Sequence, residues 1–136
     1  MTDGGSSIPE VHALLATLVA SKPAGRFAET GTARWQCRSC QVLRAEVVHG
    51  HWLDVLPQRA PFDLLFADGG LRDTEGGFER SISLLAPGGF LVKDDLSPRR
   101  PIDGDEIREW LFREPRLIAT EVLTTPSTAA IVAVRR

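Results

Sequence analysis

The sequence has little of what would commit it to a membrane, an oxidising compartment or a nucleic acid. Only two cysteines occur, Cys37 and Cys40, too few for a disulfide framework. The apolar run "VHALLATLVA" (11–20) is too short to span a bilayer. It follows "MTDGGSSIPE", which is acidic where a secretory signal would be basic. Formal net charge is −2, so no global basic field recruits nucleic acid. The basic clusters "SPRR" (97–100) and "VRR" (134–136) read as solvated ends. Internal repeats, low-complexity segments and linkers are all missing. The 136 residues therefore suit one domain, 1–136, with a polar tail over 1–6. Cytoplasmic location is expected, with neither membrane nor nucleic acid as a partner.

What is present alternates strand and helix. Ser7-Ile8-Pro9-Glu10 has the S-x-x-E form of a capping box, and Ile8, Val11, Leu14, Leu15, Leu18 and Val19 follow helical spacing. Lys22 to Gly25 should stop that helix. "RFAET" (26–30) reads as a strand ending in a glycine turn, and "EVVHG" (46–50) as a second. "HWLDVLP" reads as a short helical turn. "FDLLFAD" (62–68) is a near-continuous apolar run, the mark of a strand buried on both faces. Phe78, Ile82 and Leu85 lie on one helix face, with Pro87-Gly88-Gly89 as the breaker and "FLVKDD" (90–95) as the next strand. Ile107, Trp110 and Leu111 mark another helix. "RLIATEVL" and "AAIVAV" (129–134) pair as a closing hairpin across "TTPST".

That order predicts an α/β fold, a doubly wound and mainly parallel sheet with a C-terminal antiparallel hairpin. Such sheets bind ligands at the carboxyl ends of their strands. Glu29 to Gly31, Asp68 to Gly70, and Asp94 with Asp95 all fall at such ends. Glu29-x-Gly31-Thr32 can also be a plain capped turn, Asp68 a turn cap, and Asp94 and Asp95 solvated residues. Lys93 is either a base, an ion-pair partner or a surface charge.

"RFAETGT", "PFDLLFADGG", "LLAPGGFLVKDDLSP" and "LIATEVLTTPSTAAIVAVRR" together resemble the class I S-adenosylmethionine-dependent methyltransferases. The likeness is greatest to the small bacterial O-methyltransferases related to catechol O-methyltransferase. The resemblance implies methyl transfer from S-adenosylmethionine to a hydroxyl of a small molecule. It implies that Glu29, Gly31 and Thr32 hold the methionine part of the cofactor. It places His51 and Trp52 where the adenine is addressed, with Asp68 also at the cofactor. In the cation-dependent branch Asp68, Asp94 and Asp95 would hold Mg2+, with Asp68 and Asp94 as the catalytic pair. Carboxylates converging from two strand ends suit a hard cation.

The resemblance has a gap. Full members carry two helices and a strand between the glycine turn and the "VVHG" strand. Only Ala33 to Ala45 is available here, room for one crossover helix. The strand whose acidic end holds the cofactor ribose is expected to be absent, so the sheet should have six strands in place of seven. Trp35 crowds the glycine turn. The methionine half of the pocket is thus legible, and the adenosine half is damaged or rebuilt. Cys37-x-x-Cys40 with His49-x-His51 offers four zinc ligands, or else free thiols and incidental histidines. The non-enzymatic alternative is a degenerate methyltransferase fold serving as an interaction or dimerisation module. A shortened sheet exposes edges and apolar faces, so homo-oligomerisation is expected.

Overall fold

The computed structural model describes residues 8–30, 50–72 and 74–136. Helix α1 spans Pro9–Ala20, β1 Phe27–Thr30, α2 Trp52–Val55, β2 Phe62–Ala67 and α3 Gly77–Ser83. Strand β3 spans Leu85–Leu96, α4 Glu106–Arg113, β4 Leu117–Thr125 and β5 Thr128–Arg135. The five strands form one sheet in the order β1-β2-β3-β5-β4. The β1–β2 and β2–β3 pairs are parallel, and β5 runs antiparallel to both β3 and β4.

Side-chain alternation divides the core between the two faces of this sheet. Leu64 and Phe66 of β2 and Val92 of β3 pack with Val11 and Leu15 of α1. Leu65 and Ala67 of β2, Leu91 of β3, and Ile131 and Ala133 of β5 face the other way, towards Trp52, Ile82 and Leu111 of α2, α3 and α4. Helices thus cover both faces, the doubly wound arrangement that the alternation of elements predicts. Strand β2 is buried on both faces, as its apolar run requires.

Three details differ from the sequence expectation. Helix α1 takes Ile8 as its N-cap, without a side-chain cap bond, and opens on Pro9. The expected box at Ser7 falls outside the described residues, and Ser7 would stand one place too early. Leu85 is not helical. It opens β3 opposite Phe62, and the register then jumps to Leu64 opposite Phe90. Gly88 has φ +76, and a Cβ on Gly89 would lie 2.8 Å from the Ala86 carbonyl oxygen. The Pro-Gly-Gly segment is a bulge within the strand, not a helix stop. The expected strand "EVVHG" lies outside the described residues except for Gly50. The described sheet therefore has five strands, with β1 and β4 at its edges.

Candidate active site

The parallel strands deliver three carboxylates to one end and one face of the sheet. Glu29 in β1 stands opposite Phe66 in β2, and Phe66 opposite Val92 in β3. Two residues further along, on the same face by alternation, are Asp68 and Asp94. Backbone bonds lock the β1 and β2 ends together. The N–H groups of Asp68 and Gly69 donate to the Thr30 carbonyl at 3.1 and 3.2 Å. The buried Thr30 hydroxyl donates to the Gly69 carbonyl at 2.6 Å.

The electrostatics follow from that crowding. Burial, then the negative charges of Asp68 and Asp94, push Glu29 up from 4.5 to about 7. Burial pushes Asp94 up to about 6; Lys93 opposes the rise, and Asp68 and Asp95 add to it. Asp94 is buried and its Oδ1 has no hydrogen-bond partner among the described residues. The Lys93 ammonium donates to the Asp94 carbonyl at 2.9 Å. Asp95 is exposed and takes a left-handed backbone, φ 59.

The described residues give the metal expectation no support. Asp68, Asp94 and Asp95 do not gather into a ligand set. Among the described residues no group of three or more His, Cys, Asp and Glu side chains is arranged to hold a metal ion. The physical reason is alternation. Asp94 and Asp95 are adjacent in a strand, so one is buried and its neighbour exposed.

His51 and Trp52 have different fates. His51 is exposed and serves as the N-cap of α2, its Nδ1 accepting from the Leu53 N–H at 3.3 Å. Trp52 is buried, and its indole N–H has no partner among the described residues. That N–H lies against the glycine turn after β2, where a Cβ on Gly70 would come within 2.6 Å of Nε1. Gly31, Thr32, Cys37, Cys40 and His49 lie outside the described residues.

Beside the carboxylates, on the α4 side, opens a cavity of about 730 Å³. The 68–72 turn, the end of β3 and the 97–108 segment line it. Its back wall contains a residue the sequence reading missed, Arg108. This side chain is buried, with salt bridges to Asp105 at 2.7 Å and to Glu121. It also donates to the Ser97 carbonyl at 2.6 Å. The signal was available: Arg108 sits three residues before Leu111, on the apolar stripe of an otherwise amphipathic helix.

The fold recurs in solved structures. An O-methyltransferase from Bacillus cereus, in complex with SAH, superposes with a TM-score of 0.70 at 20% identity, over 98% of this chain and 84% of that one. The class I S-adenosylmethionine-dependent methyltransferase fold is therefore the fold of this chain. The O-methyltransferase TomG from Streptomyces achromogenes, in complex with SAM, matches with a TM-score of 0.65 at 21% identity, covering 99% of this chain and 83% of that one. A methyltransferase from Geobacter sulfurreducens gives 0.71 at 16% identity, covering 97% and 82%. The chain thus takes up most but not all of the length of each, in keeping with the expected shortening. No protein-family profile matches the sequence. No curated protein matches it either. Among the described residues no helix is long and apolar enough to cross a membrane.

Proposed function

We propose that this chain binds S-adenosylmethionine and directs its methyl group to a hydroxyl of a small molecule. One observation carries the reading: Glu29, Asp68 and Asp94 meet at the carboxyl ends of three adjacent parallel strands, in a fold whose relatives include SAM- and SAH-bound methyltransferases. Glu29 and Asp94 are both raised by burial and by neighbouring carboxylates, and a cation relieves such a site. The α-ammonium and sulfonium of the cofactor are such cations, so the residues present fit the methionine half.

When bound, the cofactor supplies a methyl group on a positively charged sulfur. The chain's own residues do the rest. Glu29 accepts hydrogen bonds from the ammonium. Thr30 fixes the turn after β1 against the turn after β2. Trp52 packs its indole N–H against Gly70 in the turn after β2, a donor without a partner among the described residues. Asp94, ionised at neutral pH yet more basic than an ordinary carboxylate, takes the proton from the acceptor hydroxyl. Asp68 holds the negative field that favours both events.

Calorimetric titration with S-adenosylhomocysteine tests the reading. Binding by the wild type, weakened about tenfold or more by Glu29→Ala, is expected. Absence of binding would sink it. A second reading then takes over, that of an interaction module that pairs with its own kind. What favours it is that Ile118 and Leu123 of the outer strand β4 are 59% and 49% exposed.

A further inference from the structure

Two of the three exposed large hydrophobic side chains among the described residues, Ile118 and Leu123, lie on one strand, β4. They are an even and an odd residue of that strand, so they point to opposite faces of the sheet. A helix laid on either face would cover only one of them. A strand added in the plane of the sheet passes beside both. Strand β4 has β5 on one side and no described strand on the other.

The outer backbone of β4 is ready to take such a strand. The Arg136 N–H donates to the Arg116 carbonyl, and the register then runs in step from Leu117 opposite Arg135 to Leu123 opposite Ala129. Bonding in an antiparallel pair alternates along the strand. Ile118, Thr120 and Val122 therefore bond to β5, while the backbone groups of Ala119, Glu121 and Leu123 point outward, where no described backbone group meets them. The stretch Leu117–Leu123 also lacks the devices that protect an edge. It has no lysine, no proline and no bulge, the register shifting only after Leu123. Its one charge, Glu121, is already paired with the buried Arg108.

We propose that β4 pairs antiparallel with β4 of a second copy of this chain, about a two-fold axis at Thr120, joining the two sheets edge to edge. Thr120 is the midpoint of the regular stretch Leu117–Leu123. With this axis, residues whose backbone points outward meet their own kind: Leu117 faces the partner's Leu123, and Ala119 faces the partner's Glu121. Between them Ile118 faces the partner's Val122, and Thr120 faces the partner's Thr120, a pair that can share a hydrogen bond. Both exposed hydrophobic side chains gain apolar neighbours, and no like charges are opposed. Neighbouring registers are poorer. An axis at Glu121 sets two glutamates opposite each other. An axis at Ala119 sets Leu123 against the partner's Pro115, which has no N–H to donate. Glu29 lies on β1, at the other end of the strand order, so the pairing does not depend on the methyltransferase reading.

Sedimentation equilibrium of the full chain at about 100 µM should give twice the mass of one chain. Thr120→Lys sets two ammonium groups opposite each other across the axis and should give a monomer at that concentration. Thr120 is exposed, so the variant's circular dichroism and its titration with S-adenosylhomocysteine should match wild type. Cysteine substitution tests the register, in a background carrying Cys37→Ser and Cys40→Ser. Thr120→Cys should form a disulfide between copies under mild oxidation, because opposite residues without backbone bonds bring their side chains closest. Val122→Cys should not, since it faces the partner's Ile118. The cross-link decides the matter even where the lysine variant folds poorly. A monomeric wild type, a dimer that withstands Thr120→Lys, or cross-linking through position 122 and not 120 would overturn the proposal. Cofactor titration on the same samples judges the methyltransferase reading separately. Cross-linking without cofactor binding leaves the pairing standing and sinks that reading, and cofactor binding by a chain that stays monomeric does the reverse.

Discussion

The Thr30 hydroxyl donates to the Gly69 carbonyl across 2.6 Å, tying the turn after β1 to the turn after β2. Glu29 precedes the first turn and Asp68 opens the second, so this bond, with the two backbone bonds to the Thr30 carbonyl, sets the spacing of two site carboxylates. Thr30→Val keeps the shape and removes the donor, leaving a part-buried carbonyl without that partner. The expected cost is about 1–2 kcal/mol, read as a lower denaturant midpoint at an unchanged slope. S-adenosylhomocysteine should bind more weakly as well. Unchanged affinity would show that the turn spacing is held by backbone bonds alone.

Glu29→Gln separates stability from binding. Glu29 is raised from 4.5 to about 7, so the fold favours its protonated form. Its contribution to stability is full below about pH 4.5 and is lost as pH rises through about 7. A neutral glutamine escapes that loss. At pH 8 the ligand-free variant should be more stable than wild type by about 1–2 kcal/mol, less than the whole shift because the carboxylate is partly solvated. Cofactor affinity should fall in the same variant. A variant that loses stability and keeps its affinity would contradict both roles of Glu29.

Asp94 gives a pH profile its acidic limb. Held near 6, it is protonated below that value and cannot accept a proton there. The rate of methyl transfer should rise with pH through about 6 and level off above it, once binding through Glu29 is saturated with cofactor. In Asp94→Asn the residual rate should lose that limb. A limb that survives the substitution assigns the base elsewhere.

Arg108 is a buried cation whose partners Asp105 and Glu121 are only partly exposed. Arg108→Ala removes the charge and opens space beneath the cavity wall. A loss of about 2–4 kcal/mol in unfolding free energy is expected, towards the lower end because water can reach both carboxylates. Chemical denaturation at neutral pH measures it. A loss below about 0.5 kcal/mol, within the range of ordinary surface changes, would mean the network is dispensable.

The sheet was legible in the sequence because its signals are local. An apolar run such as 62–67 and the hairpin about Pro126-Ser127 need no distant partner to be recognised. The three strand-end carboxylates were legible for the same reason, each following its own strand. What the sequence did not disclose depends on geometry between elements. Pro87-Gly88-Gly89 looks the same as a helix stop or as a bulge, and only pairing of Leu85 with Phe62 decides. Asp94 and Asp95 read as two ligands for one metal, whereas strand alternation divides them. The stripe of α4 marks Arg108 as buried, but not what it bonds to, because Ser97 and Glu121 lie 11 and 13 residues away.

Strand β5 follows β4 along the chain, yet it lies between β3 and β4 in the sheet. During synthesis on the ribosome, β1, β2 and β3 can assemble as they emerge, but β4 has nothing to join. It must wait for Thr128–Arg135 to follow it out and fill the gap beside β3. Until then β3 offers an open edge, and a chain stalled just after β4 would be prone to misassembly. The joining of β4 thus waits on β5, and removing Thr128–Arg135 would strand β4 outside the fold.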